Sequence, residues 1–210
     1  MFAGVALVPI YLAEGPWSRL LGPLARQLGE VFETAVEVHP PWFDPESSFD
    51  PSRGQYNSTL LLDRLEKAPC DAGRVLGVAG VDLFIPVLSY VFGEAQLPGR
   101  AAVISLVRLA PELYGLPPDE ARLADRTEKE AIHELGHTFG LIHCRSPECV
   151  MRSSTYVEEI DLKPARFCEE CLGVVRESPR QACGTRPGRS PETRGGGARS
   201  ARNAAGAPAD

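Results

Sequence analysis

Short apolar runs alternate with polar breaks marked by glycine or proline through the first half of the chain. Val5-Ala6-Leu7-Val8 is an unbroken apolar run with the length of a buried strand. Between 17 and 32, Leu20, Leu21, Leu24, Leu28, Val31 and Phe32 recur at helical spacing, which predicts a helix with one face in the core. Ala35-Val36-Glu37-Val38 reads as a second strand. This order is a βαβ start, so the two strands are expected to lie parallel. His39-Pro40-Pro41 opens a proline-rich loop, where His39 is read as a surface residue rather than a substrate contact. A second helix is expected over about 57–67, with Leu60, Leu61, Leu62 and Leu65 on its buried face. Residues 75–85 form a strand region punctuated by glycine. Residues 88–96 and 101–109, joined through Pro98-Gly99, read as a hairpin. A strand there, just ahead of the next helix, suits a sheet edge. It is either an ordinary edge or one that holds a peptide by backbone pairing.

Pro117-Pro118 closes a loop, and Asp125-Arg126-Thr127-Glu128 has the form of a capping box, so a helix is expected over about 126–139. It carries the pattern HExxHxxGxxH, from His133 to His143. His133 and His137 are four apart, which stacks them on one helical face within reach of a single Zn²⁺. Glu134 stands beside the first histidine, where a carboxylate can accept a proton from a water that zinc has acidified. His143 lies six residues after His137, and at about 100° per residue an unbroken helix would carry it off that face. Gly140 is where the chain can turn, because glycine accepts the left-handed conformation that ends helices. The pattern therefore predicts a helix that stops at Gly140 and a third imidazole brought back as a ligand. Three protein ligands leave zinc one open position, as in catalytic sites. The competing view is a helix with incidental histidines. Against it, three of the chain's four histidines fall inside the motif.

Cys144, Cys149, Cys168 and Cys171 form C-x4-C and C-x2-C pairs directly after this motif, while Cys70 and Cys183 stand alone. The four admit three readings: a closed structural zinc site, two disulfides, or a redox pair at Cys168 and Cys171. The first suits a chain without a clear export signal. Because Cys144 follows His143, such a site would brace the turn that delivers the third histidine. Met151 is the one internal methionine. It is expected to sit beneath the histidines as a hydrophobic floor rather than as ordinary core filler.

With 210 residues the chain suits one domain with a substantial core. It is expected over 1–178, with an N-terminal lobe to about 140 and a C-terminal lobe over 141–178. Residues 184–210 are rich in Gly, Ala, Arg and Pro and read as a disordered tail. The net charge is −6; the tail's five arginines against Glu192 and Asp210 make it +3, so the body is −9. An acidic body argues against nucleic acid as the main partner. Met1 to Ala13 lacks a basic start and is broken by Pro9, which favours a buried strand over a signal peptide. No apolar run reaches membrane-spanning length. A cytoplasmic monomer is expected.

At these residues the chain resembles the archaemetzincins, a family of metzincin zinc peptidases. The resemblance rests on His143-Cys144, Cys149, Met151, Cys168 and Cys171 after HExxHxxGxxH, with sixteen residues between Met151 and Cys168. Arg53-Gly54-Gln55-Tyr56 and Val91-Phe92-Gly93-Glu94-Ala95 also look like family segments, so it spans about 5–171. It implies an α/β (mixed α+β) zincin fold of the metzincin type, with a twisted mixed sheet, helices and a small zinc-braced C-terminal subdomain. It implies one catalytic Zn²⁺ on His133, His137 and His143 with Glu134 as general base. It also implies a structural Zn²⁺ on Cys144, Cys149, Cys168 and Cys171, with Met151 as the Met-turn methionine. Peptide hydrolysis, leaning toward aminopeptidase-like action, is the implied reaction. Some metzincins carry a tyrosine two residues past that methionine; Ser153 stands there, and Tyr156 receives no role. The rivals are a zinc-stabilised module that binds peptides without cutting them and a hydrolase of non-peptide amides. A binder has no need of Glu134.

Overall fold

The computed structural model describes residues 4–12 and 14–177. The expected tail over 184–210, Cys183 and the domain end at 178 lie outside the described residues. Along the chain come β1 (Val5–Ile10), α1 (Leu21–Phe32), β2 (Val36–Val38), β3 (Phe49–Asp50), β4 (Gln55–Asn57), α2 (Ser58–Glu66) and β5 (Arg74–Ala79). They are followed by β6 (Leu83–Phe84), β7 (Gly93–Ala95), β8 (Ala101–Ser105), α3 (Leu106–Leu109), α4 (Glu120–Thr138), α5 (Val157–Leu162) and α6 (Glu169–Glu177). The fold is mixed α/β.

A five-stranded sheet in the order β2-β1-β5-β8-β7 forms the frame. β1 and β2 are parallel, with Val5 opposite Val36, as the strand-helix-strand order predicts. β5 and β8 extend the parallel set, and β7 closes one edge antiparallel to β8. Side chains alternate across the sheet. Val5, Leu7, Leu76, Val78 and Ile104 meet α1 and α4 on one face. Ala6, Val8, Val75 and Val103 meet Leu61, Leu62 and Leu65 of α2 on the other. At Gly77 a Cβ would lie 2.8 Å from Leu65 Cδ1 and 2.9 Å from Ile10 Cδ1, so this glycine sets the close approach of α2. A small second sheet, β3-β4-β6, lies beside the frame.

Several elements differ from expectation. The helix expected over 126–139 begins at Glu120, and its N-cap is Asp119, whose carboxylate accepts from the Arg122 N–H. Leu123 is the reason: it is 4% exposed and anchors an otherwise polar first turn in the core. Asp125-Arg126-Thr127-Glu128 is thus helix interior, and the Thr127 hydroxyl donates back to the Leu123 carbonyl. The strand expected over 101–109 ends at Ser105 and turns into α3, since an apolar run of that length satisfies either element once buried. The strand expected over 88–96 shortens to β7; Leu88 is solvent-exposed, and Leu60 likewise stands off the core. The 75–85 region splits into β5 and β6 at Gly80, where a Cβ would strike the Tyr11 carbonyl oxygen. The Pro98-Gly99 turn holds, through a cis Leu97-Pro98 bond.

Two buried arginines fix α4. Arg74 donates to Thr138 Oγ1 (3.0 Å), tying the C-terminal end of α4 to the start of β5. Arg126, 2% exposed, grips Asp161 of α5 with two hydrogen bonds of 2.7 Å and gives a third to the Leu109 carbonyl. That guanidinium holds the Asp161 carboxyl below its usual range. Removing the cation is expected to leave the Leu109 carbonyl unpaired and Asp161 uncompensated. Arg126→Met should therefore lower stability at neutral pH by about 1–2 kcal/mol, a figure discounted for the partial exposure of Asp161. Asp161 is depressed on folding, so its contribution is present above the ordinary carboxylate range and is lost as pH falls through its lowered value. Urea melts of both proteins at pH 7 and pH 3 test this, and the difference should shrink at the lower pH.

Candidate active site

α4 crosses the sheet face with its inner side, Ala131, Ile132 and Leu135, fully buried. His133 and Glu134 are buried as well, and His137 follows one turn on. The helix ends where Gly140 adopts φ +93°. There the Gly140 N–H donates to the His137 carbonyl (2.9 Å) and the Leu141 N–H to the Gly136 carbonyl (3.3 Å). These two bonds form a Schellman cap, which satisfies carbonyls that the helix end would otherwise orphan. The reversed chain buries Leu141 and brings His143 back over the helix, as the motif predicts.

The three imidazoles converge. A nitrogen of each lies within 4.8 Å of the others, and His133 Nε2 stands 3.2 Å from His137 Nε2. The opposite ring nitrogens of two of them are engaged: His133 Nδ1 meets the Val150 carbonyl (2.9 Å) and His137 Nδ1 the Leu141 carbonyl (2.7 Å). A carbonyl can only accept, so Nδ1 carries the proton and Nε2 presents a lone pair. Burial, above all, holds the three imidazoles below their ordinary pKa, His133 most strongly, and so keeps them neutral. Neutral imidazole nitrogens aimed at one point fit a zinc ion.

Glu134 faces a cleft of about 510 Å³ that is also lined by His133, His143, Glu130, Lys163 and residues of the 88–93 and 153–156 segments. Burial, then the Glu130 carboxylate, lifts its pKa well above the ordinary carboxylate range. It packs against β7: a Cβ at Gly93 would lie 2.5 Å from Glu134 Cγ and 2.8 Å from Oε1. The cleft wall above β7 is itself pinned. Arg53 donates to the Leu88 carbonyl (2.8 Å), and Gln55 bridges Asp82 Oδ2 (2.9 Å) and the Ser89 carbonyl (3.0 Å). The sheet edge falls on β7, the first strand of the hairpin, whereas β8, the strand just ahead of the helix, lies inside the sheet between β5 and β7.

The four sequence-picked cysteines also come together, their sulfurs all within 4.8 Å of one another. None is in a disulfide. Backbone N–H groups of Ser146 and Cys168 point at Cys144 Sγ and Cys149 Sγ, each at 3.4 Å. The N–H of Cys171 lowers the Cys168 thiol, whereas burial raises Cys149 and Cys171. Four converging sulfurs, three of them facing backbone N–H groups, suit a closed zinc site. Met151 is fully buried beneath α4, and a Cβ at Gly136 would lie 2.5 Å from its Sδ. Its carbonyl accepts from the Cys144 N–H (2.9 Å), so one short segment spans both clusters.

Sequence reasoning passed over Lys163, Glu130 and Ser154, all on the cleft. Glu130 had a signal, one helical turn before Glu134. Lys163 and Ser154 had none, because only folding brings them to the cleft.

The profile of Peptidase family M54 matches residues 46–177. The archaemetzincin of Methanocaldococcus jannaschii is 48% identical over 73% of this chain and 84% of its own length. The crystal structure of archaemetzincin from Methanopyrus kandleri superposes with a TM-score of 0.74 at 35% identity, covering 83% of this chain and 94% of that one. That of Archaeoglobus fulgidus, complexed with malonate, gives a TM-score of 0.70 at 35% identity over 81% and 99%.

The close seat of Met151 under α4 makes Gly136 a steric requirement. Gly136→Ala would gain about 0.5–1 kcal/mol in helix propensity, but the new methyl must displace Met151 and Phe167, at about 1–3 kcal/mol. A net loss of about 1 kcal/mol is expected in urea unfolding.

Proposed function

This chain belongs to the archaemetzincins, peptidase family M54, and is a zinc metallopeptidase; from that premise we propose that His133, His137 and His143 hold the catalytic Zn²⁺ and that Glu134 is the general base. A second, structural Zn²⁺ is assigned to Cys144, Cys149, Cys168 and Cys171. The observation that carries the reading is the convergence of three neutral imidazoles beside one buried carboxylate.

Zinc held there supplies Lewis acidity and lowers the pKa of water toward neutrality. Glu134 takes the proton of the attacking water and delivers it to the leaving amine. Gly93 gives the carboxylate room against the edge strand. The free edge of β7 offers backbone groups to an extended peptide, and the pinned 88–92 wall keeps that edge in place. An aminopeptidase-like preference, implied by the family resemblance, is part of the proposal.

The cysteine cluster would brace the first centre. Cys149 and Met151 flank Val150, whose carbonyl orients His133, and Cys144 adjoins His143. Cys168→Ser is therefore expected to bind one zinc instead of two and to hold the remaining one more weakly, as read by competition with a chromophoric chelator. Unchanged affinity at the remaining site would sink the bracing role.

Glu134→Ala should retain zinc and lose cleavage by about 10²–10⁴-fold. The assay is a digest of peptides with free or blocked N-termini by both proteins at fixed low zinc. Full activity in the variant refutes the base assignment. Cleavage of free N-termini alone supports aminopeptidase action, and cleavage of both sets replaces it with endopeptidase action.

A further inference from the structure

Among the described residues, two buried side-chain polar atoms lack a hydrogen-bond partner: Glu130 Oε2 and Ser154 Oγ. Both residues line the cleft that holds His133, His143 and Glu134. Lys163 lines it too, with a side chain only 1% exposed. Its contacts are loose: the Arg152 carbonyl at 3.4 Å and Glu130 Oε2 at 3.5 Å. An ammonium has three N–H bonds to place, and a buried one is costly to leave underused. A hydroxyl with no partner and an ammonium with only long contacts, both on the cleft wall, suit an anionic oxygen.

The reacting centre is the place where such an oxygen develops. Glu130, whose Oε2 lies 3.5 Å from the ammonium, stands three residues before His133 and one helical turn before Glu134, so the ammonium lies against the turn of α4 that carries them.

We propose that Lys163 is a further catalytic residue: its ammonium, with the Ser154 hydroxyl as second donor, receives the scissile carbonyl oxygen as that oxygen becomes anionic. The inference rests on the reading that the histidine trio and Glu134 form the reacting centre. In the step, the oxygen of water bonds to the carbonyl carbon, the C=O π pair moves onto oxygen, and Glu134 takes the water proton. When the C–N bond breaks, the carbonyl re-forms and the proton passes from Glu134 to the amine nitrogen. Lys163 and Ser154 donate hydrogen bonds throughout and keep their own protons. Donors aimed at developing charge act on the transition state more than on the bound substrate. Glu130 holds the ammonium in place as its counter-charge.

The test uses the zinc-loaded full chain as wild type, Lys163→Met, Ser154→Ala and Glu134→Gln, with metal content checked for each. On a peptide amidated at its C-terminus, Lys163→Met is expected to lower kcat about 100-fold with KM little changed. Calorimetry with a phosphinate peptide, whose tetrahedral phosphorus carries anionic oxygen, should show a loss of affinity of similar size. Ser154→Ala should move both readouts in the same direction, by about 10-fold. Full kcat and full phosphinate affinity in Lys163→Met overturn the proposal. A loss confined to peptides with a free C-terminal carboxylate also overturns it and makes Lys163 a carboxylate anchor. If Lys163→Met does not fold, Ser154→Ala decides on the same two readouts, and undiminished phosphinate affinity there is the negative result. Glu134→Gln separates the two readings. Retained turnover in it defeats the general-base assignment, whereas an inert Glu134→Gln beside a fully active Lys163→Met defeats only the role given to Lys163.

Discussion

The left-handed backbone at Gly140, φ +93°, governs the rest of the site. A residue with a Cβ would be strained there by about 1–2 kcal/mol, and glycine is not. Because the chain can reverse at that point, α4 ends one residue past His137, its last carbonyls are capped by Gly140 and Leu141, and His143 returns over the same face. The cap also places the Leu141 carbonyl against His137 Nδ1. One backbone conformation thus ends the helix, orients the second imidazole and delivers the third. The hairpin turn supports it from outside, since the Gly99 N–H donates to the Thr138 carbonyl (3.2 Å).

The two clusters are mechanically one unit. The histidine trio and the cysteine quartet meet at the peptide joining His143 and Cys144, and they meet again through 149–151. Val150 contributes its carbonyl to His133 and its N–H to the Arg166 carbonyl (2.8 Å), just ahead of Cys168. Met151 and Phe167 press on the same turn of α4 around Gly136. Any shift of the cysteine loop is therefore transmitted to the imidazoles through short, buried backbone bonds rather than through flexible side chains.

The cleft itself is built from close approaches and unbalanced charge. Gly93 admits the Glu134 carboxylate against the edge strand, and Arg53 and Gln55 tie the exposed wall above it to the second sheet. Inside, Glu130, Glu134 and Lys163 are all at least 95% buried, and Glu130 Oε2 has no hydrogen-bond partner. The 3.5 Å pairing of Lys163 with Glu130 leaves these charges stabilised only in part by one another in a low-dielectric site.

The sequence by itself determined several features that depend on near neighbours. The histidine face follows from a spacing of four, the helix stop from a glycine, and the parallel β1–β2 pair from its strand-helix-strand order. The metal-type cysteine pairs were also visible, because ligand spacing within a loop is a local property. The tertiary structure decided what depends on residues far apart in the chain. Burial of Leu123 lengthened α4 beyond its apparent capping box, and burial of Leu106 and Leu109 made helix from a run that also suited strand. Packing alone paired Arg126 with Asp161 and Arg74 with Thr138. It also carried Lys163 and Ser154 to the cleft wall beside Glu134. Backbone preference acts over a few residues and can be read from a string of letters. Which buried charge faces which is settled only when sheet and helices close around one another.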